Sequence, residues 1–226
     1  MPSSAMAGEP NGSPADSARF DAVLFDLLTA LIDSWSLWNS VAESDELGLA
    51  WRKAYLRLTY GAGAYRPYED IVAAAAEEAG LDSSAPAELV ERWDELCPWP
   101  EVGEVAAQLR GKVRLGVVTN CSDALGRRAA ALVSDKFDAV VTAERAGFYK
   151  PRREPYVLTL DAIGTKPERT LFVAGSAADV PGAAALGMTV YWHNRAGLPP
   201  VGDVHPDFHE PTLDGLPEVV LGSAAR

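Results

Sequence analysis

The sequence predicts an α/β fold: a Rossmann-like parallel sheet core flanked by helices, with a small helical cap inserted after the first strand. Three observations carry this. From Phe20 onward, short apolar runs alternate with longer amphipathic stretches, the pattern of strands joined by crossover helices. The runs are followed closely by polar residues, Asp26 after the first, Thr119 and Asn120 at the second, Ser176 and Asp179 beyond the fourth. Ligands of open parallel sheets bind beyond the carboxyl ends of the strands, so these are the positions to inspect. Finally, the interval from Asp33 to Pro100 holds no clear strand.

In chain order, strands are expected at residues 22–25, 115–119, 139–142, 171–173 and 189–192. Helices are expected at 102–109, 124–133, 154–163 and 180–186, with Gly111, Gly164, Pro167 and Gly187 as stops or breakers near their ends. The long interval contains three amphipathic stretches, 47–59, 68–79 and 87–96, which read as helices. The domain division that follows is a core of residues 19–36 and 101–226 and a cap of residues 37–100. Residues 1–18, rich in Ser, Pro, Ala and Gly, read as a disordered leader.

Charge and composition narrow the function. Twenty Lys and Arg against 32 Asp and Glu give 20 − 32 = −12 over 226 residues. That field repels a polyanion, so a nucleic-acid partner is not expected. No stretch approaches the roughly 18 apolar residues that span a bilayer, so no membrane partner is expected either. Two cysteines, Cys97 and Cys121, make neither a disulfide framework nor a zinc cluster. A reducing, cytoplasmic setting is the natural expectation.

An ionisable group at the end of a buried strand is costly unless paired or used. Asp26, directly after Val-Leu-Phe, is such a group. An isolated Asp there is as readily a helix N-cap as a nucleophile, but a carboxylate can form an ester intermediate and split one displacement into two. It then needs a cation close by, and Lys150 in Gly-Phe-Tyr-Lys-Pro is the candidate. His193, His205 and His209 share no metal-ligand spacing, and Trp35, Trp38, Trp51 and Trp93 read as packing.

Four segments in order, Phe25-Asp26-Leu27-Leu28-Thr29-Ala30-Leu31-Ile32-Asp33, Val118-Thr119-Asn120, Tyr149-Lys150-Pro151 and Phe172 to Asp179, resemble the four motifs of the haloacid dehalogenase superfamily. Within it the chain is most similar to the L-2-haloacid dehalogenases, through Trp51-Arg52, Tyr156 and the run from Trp192 to Gly197. The resemblance implies a hydrolase of short 2-haloalkanoic acids that needs no cofactor. Asp26 would be the nucleophile, Asp179 the residue that activates water, Lys150 the anchor of both carboxylates, and Arg52 the receiver of halide. Thr119 and Asn120, with Leu27, Leu28, Tyr156 and Ser176, would contact the haloacid substrate. It also implies a possible homodimer.

The phosphatases of the superfamily hold Mg²⁺ with additional carboxylates. Here Leu28 stands where they carry a second Asp, and Gly175 where they carry an Asp of the fourth motif, which leaves only Asp26 and Asp179 as carboxylates and gives metal-dependent phosphoryl transfer poor support. The family's usual Gly-Thr after the nucleophile is Thr29-Ala30, so either Thr29 bends in to contact Asp26 or that hydrogen bond is missing. Ala174, Ser176, Ala178 and Leu28 likewise depart from the usual pattern and suggest a less polar pocket. A phosphatase with a weakened metal site, or a non-catalytic relative acting as a binding module, are the alternatives.

Overall fold

The structure is a computed structural model and describes residues 18–222. All but the last residue of the expected leader lies outside the described residues.

Along the chain, β1 (Ala22–Phe25) and β2 (Ile32–Asp33) precede four helices, α1 (Ser34–Val41), α2 (Asp45–Ala62), α3 (Tyr68–Glu78) and α4 (Ala85–Glu91). A 3₁₀ turn (Arg92–Glu95) and β3 (Cys97–Pro98) close that section. Next come α5 (Val102–Leu109), β4 (Arg114–Thr119), α6 (Asp123–Val133), β5 (Ala139–Thr142) and the one-turn helix α7 (Ala143–Ala146). The remainder is α8 (Arg153–Ile163), β6 (Thr170–Ala174), α9 (Asp179–Ala184), β7 (Thr189–His193), β8 (Phe208–Glu210) and α10 (Leu216–Leu221).

Six of the strands form one sheet in the order β5-β4-β1-β6-β7-β8, every pairing parallel. β1 is central because all four of its residues are apolar and buried, as a strand covered on both faces must be. The chain leaves β1 to build β4 and β5 on one side, then returns to build β6, β7 and β8 on the other. The strand order therefore reverses around β1, and the crevice beyond the ends of β1, β4 and β6 is the expected ligand position. Burying a side chain such as Leu24 or Val173 contributes roughly 1.5–3 kcal/mol, and a large-to-small change there costs about 2–5 kcal/mol.

The helices α1 to α4 lie between β2 and β3, which pair antiparallel with Ile32 opposite Pro98 and Asp33 opposite Cys97. Asp33 also begins α1, its Oδ1 accepting from the Ser36 N–H at 3.2 Å. Ser44 caps α2 in the same way, accepting from Leu47 N–H, and Asp45 and Glu46 in the first turn suit the positive end of the helix dipole. Trp51, buried on α2, packs on Trp38 of α1 with ring centroids 4.5 Å apart and donates its indole N–H to the Val72 carbonyl of α3. Trp93 donates to the Leu125 carbonyl of α6. These helices and the sheet share one continuous apolar cluster.

The structure differs from expectation in several places: the interval 33–100, expected to hold no strand, contains β3, formed by pairing with β2, and the one-turn helix α7 follows β5. The stretch 87–96 breaks into α4 and a 3₁₀ turn rather than one helix. α1 begins at Ser34, ahead of the first expected cap helix, because Asp33 supplies its N-cap. The edge strand β8 and helix α10 carry no apolar run long enough to announce them. Among the described residues, no helix is long and apolar enough to cross a membrane.

Candidate active site

Asp26 sits just past β1, its backbone N–H donating to the Val173 carbonyl of β6 at 2.9 Å. One carboxylate oxygen, Oδ2, accepts three donors from the turn that follows: the Thr29 hydroxyl at 2.6 Å, the Thr29 N–H at 3.2 Å and the Ala30 N–H at 3.3 Å. Thr29 thus does bend in. The other oxygen, Oδ1, accepts from Lys150 Nζ at 2.8 Å. Burial pushes the Asp26 carboxyl up, but the Lys150 charge and the hydrogen bonds from Lys150 and Thr29 outweigh it and hold the group below its ordinary value.

Thr29 reaches this position because residue 175 has no side chain. A Cβ on Gly175 would come within 2.2 Å of Thr29 Oγ1 and 2.3 Å of the Ala30 nitrogen. The missing fourth-motif Asp and the displaced Thr are therefore one packing solution: the turn occupies the space a side chain would take. The turn is also held from behind. The Trp99 indole donates to the Thr29 carbonyl at 3.1 Å, and His193 Nδ1 lies 2.9 Å from the Ala30 carbonyl. His193 is itself buried beside Glu101 and Arg195, which form an ion pair.

Lys150 Nζ also donates to Asp179 Oδ2, at 3.0 Å, so one fully buried ammonium bridges two carboxylates. Two carboxylates with one cation between them separate in basicity. Burial raises Asp179 to about 6, opposed by Lys150 and assisted by the charge of Asp26. Burial pulls Lys150 down, but the attraction of Asp179 and Asp26 prevails and raises it. Asn120 holds the lysine in place: its Oδ1 accepts from the Lys150 N–H at 2.7 Å and its Nδ2 donates to the Lys150 carbonyl at 3.2 Å. The Lys150–Pro151 peptide is cis.

A cavity of about 20 Å³ adjoins these groups, lined by Asp26, Leu28, Thr29, Arg52, Tyr55, Leu56, Tyr60, Thr119, Asn120 and Lys150. The Arg52 side chain is buried with its guanidinium carbon 4.9 Å from the Trp38 ring centre and 5.3 Å from those of Trp35 and Tyr55. Among the described residues it makes no ion pair, and its Nε and Nη1 have no hydrogen-bond partner. A buried cation surrounded by aromatic faces and lacking a carboxylate is a site that favours an anion.

The sequence-derived candidates are thus placed as follows. Asp26, Arg52, Lys150, Thr119, Asn120 and Leu28 meet at the cavity, with Asp179 behind Lys150. Besides Asp179, three candidates lie outside that lining. Leu27 is fully buried, its carbonyl accepting from the N–H groups of Leu31 and Ile32. Tyr156 packs edge-on against Phe172 with its hydroxyl unpartnered. Ser176 accepts from the Ala178 N–H at 3.4 Å, fixing the turn into α9.

Two residues escaped the sequence reading. Tyr55 donates its hydroxyl to the Asn120 carbonyl at 2.9 Å, and Tyr60 donates to Asp179 Oδ1 at 3.2 Å. Both come from α2, and both make the pocket more polar than the fourth motif suggests. Nothing but their helical spacing from Arg52, which also fits a buried packing face, marks them in the sequence.

A family model described as haloacid dehalogenase-like hydrolase matches residues 18–187. The chain belongs to the haloacid dehalogenase-like hydrolases. It is 27% identical over 226 residues to haloacetate dehalogenase H-2 of Moraxella sp. (strain B), covering 89% of this chain and 98% of that one. It is also 27% identical to an (S)-2-haloacid dehalogenase of Pseudomonas sp. (strain YL), covering 90% and 96%. The fold matches that of L-2-haloacid dehalogenase from Xanthobacter autotrophicus with chloropropionic acid covalently bound, at a TM-score of 0.79 and 22% identity over 91% of this chain and 100% of that one.

This membership raises the question of Mg²⁺, which phosphatases of the superfamily hold. The donor set here does not suit it. Only Asp26 and Asp179 offer carboxylates, and Lys150 already stands between them. Among the described residues, no group of three or more His, Cys, Asp or Glu is arranged to hold a metal ion.

Proposed function

We propose that this hydrolase is a metal-independent dehalogenase of short 2-haloalkanoic acids, giving a 2-hydroxy acid and halide through an ester on Asp26. The observation that carries this reading is the pairing of an ionised, donor-anchored Asp26 with a buried Arg52 that has no carboxylate of its own, across one small cavity. The named relatives, two haloacid dehalogenases aligned over nearly their full lengths, support it.

In the first step an Asp26 oxygen attacks the carbon bearing the halogen, forming a C–O bond as the C–X bond breaks. The bonding electrons leave with the halide, whose growing charge Arg52 stabilises. Thr119 and the backbone near Asn120 receive the substrate carboxylate. In the second step water attacks the Asp26 carboxyl carbon, Asp179 takes its proton, and the 2-hydroxy acid leaves with Asp26 restored. A base near 6 is well matched to that role at neutral pH. Lys150 holds both carboxylates throughout.

A cavity of about 20 Å³ has room for roughly one water or one halide. A haloacid needs more. We therefore assign α1 to α4 the role of a cap that moves to admit substrate and closes to exclude bulk water, placing Arg52 over the reacting carbon. Phosphoryl transfer has less support, because the two carboxylates at the site, Asp26 and Asp179, are both paired with Lys150.

The test is halide release from a panel of 2-haloacids in the presence of a chelator, followed by intact mass measurement after rapid quenching. A mass increase matching the substrate less halide, mapped to Asp26 and lost in Asp26→Asn, is the expected result. No release from any member of the panel, or release undiminished in Asp26→Asn, defeats the reading.

A further inference from the structure

We propose that Tyr60 is a positioning residue for the hydrolytic half of the reaction: its hydroxyl, delivered by α2, fixes the Asp179 carboxylate, so the base is complete only while the helical cap is seated on the sheet. This rests on the assignment of Asp179 as general base and adds a residue to it.

Asp179 has two donors on its carboxylate among the described residues, one per oxygen. Lys150 Nζ takes Oδ2 at 3.0 Å and the Tyr60 hydroxyl takes Oδ1 at 3.2 Å. With Lys150 alone the carboxylate keeps the freedom to rotate about its Cβ–Cγ bond. A second donor on the other oxygen removes that freedom, and general-base catalysis depends on such geometry before it depends on basicity. The segment leading into α9 supplies no substitute. Ala177 and Ala178 carry no polar side chain, and the Ser176 hydroxyl, which accepts from the Ala178 N–H, makes its other contact with Tyr60.

Tyr60 is also tied to Lys150 through the backbone. It lies in the last turn of α2, and the chain then bends at Gly63, whose φ of 68° is the left-handed region glycine favours. The next residues pair with those just before Lys150: Tyr149 N–H donates to the Gly63 carbonyl and Tyr65 N–H to the Gly147 carbonyl, each at 2.8 Å, and Ala64 bridges Phe148 antiparallel. The two donors to Asp179 therefore stand on either side of one short ladder. Lifting α2 off the sheet withdraws one of them.

The charged and titratable groups facing Asp179 are Lys150, Asp26 from the end of β1, Tyr60 from α2 and Tyr156 from α8. Burial, followed by the nearby carboxylates, pushes both phenols well above their ordinary range. Tyr60 is thus a donor at every working pH and never a competing base. Losing a donor to the ionised form raises the pKa of an acid.

The experiment compares Tyr60→Phe with the unsubstituted protein in single turnover, reading halide release and the lifetime of the Asp26 ester separately. Ester hydrolysis is expected to slow about tenfold and its acid limb to move up by about one pH unit, while halide release changes little. The ester should then accumulate in the steady state. A fluorinated tyrosine at position 60, a stronger donor, should move the limb the other way, and it gives the answer even if Tyr60→Phe fails to fold. Equal slowing of both steps, or an unmoved acid limb with an unchanged ester lifetime, overturns the role of Tyr60 alone. Absence of any ester in the unsubstituted protein overturns the dehalogenase reading, and this inference with it.

Discussion

The Thr29 hydroxyl donates to Asp26 Oδ2 at 2.6 Å, from a position one residue earlier than the Thr that the family resemblance leads one to expect. The turn can bring it there because Gly175 presents no Cβ to block it. Removing the hydroxyl in Thr29→Val should therefore lower turnover by about tenfold to a hundredfold, the equivalent of roughly 1.5–3 kcal/mol for a hydrogen bond to a charged group, and raise the apparent pKa of the nucleophile. Thr29→Ser should recover most of the loss. Gly175→Ala should reproduce the Thr29→Val defect by displacing the turn, and the double variant should be little worse than either single one, since both remove the same contact. Steady-state kinetics of the four proteins checks this; additive losses would show that the two residues act independently.

Arg52 sets function against stability. It is buried with aromatic rings around it and no carboxylate partner, so its charge is an expense in the folded state. Arg52→Met should abolish halide release, a loss of at least about a hundredfold, while leaving the thermal midpoint equal to or above that of the unsubstituted protein. Added bromide should raise the midpoint of the unsubstituted protein and not that of the variant, because a ligand that binds only the folded state stabilises it. Thermal scans with and without bromide measure both, and a variant midpoint well below the original would contradict the reasoning.

The two carboxylates should separate on a pH axis. Asp179 must be ionised to accept a proton and is raised to about 6, so ester hydrolysis should fall about tenfold per unit as pH drops below 6. Asp26 is held below its ordinary value and stays ionised further down, so displacement should continue. At about pH 5, halide should appear as a burst of one equivalent followed by slow release. Quenched-flow halide measurement distinguishes this from a single common limb.

Lys150→Met should leave two carboxylates buried without a cation. The expected cost is about 3–5 kcal/mol of stability at neutral pH, read from urea denaturation. The deficit should shrink as pH falls, because the carboxylates can then be protonated and the uncompensated charge disappears. A deficit independent of pH would mean that the lost packing of the lysine stem, rather than its charge, sets the cost.

Much of this was legible in the sequence. The five strands that carry the site are apolar runs with polar residues close behind them, and periodicity locates such runs to within a residue. Asp26 stood out as a charge at the end of a buried strand and Lys150 by its Tyr-Lys-Pro setting, whereas Asp179 and Arg52 stood out only through the family resemblance. Tyr55 and Tyr60 did not, since a tyrosine on an amphipathic helix looks the same whether its hydroxyl meets water or a buried carbonyl or carboxylate. β8 was missed for a related reason: Phe-His-Glu is three residues long, and what makes it a strand is the waiting edge of β7, a tertiary fact. The placement of Thr29 depended on Gly175, nearly 150 positions away, which no local pattern reports.

The two-residue ribbon of β2 and β3 has an implication for how such proteins diversify. The chain departs at Asp33 and returns at Cys97 as paired neighbours, so the section between them enters and leaves at one place, although a second short ladder at Ala64 and Phe148 also ties it down. Asp26, Lys150 and Asp179 belong to the part that stays; Arg52, Tyr55 and Tyr60 belong to the part that could be exchanged. The shared apolar cluster means this section can be replaced but not simply removed, because cutting it out would strip the cover from residues such as Leu125. The groups around the small cavity thus come from both sides of the ribbon, and neither side holds them all.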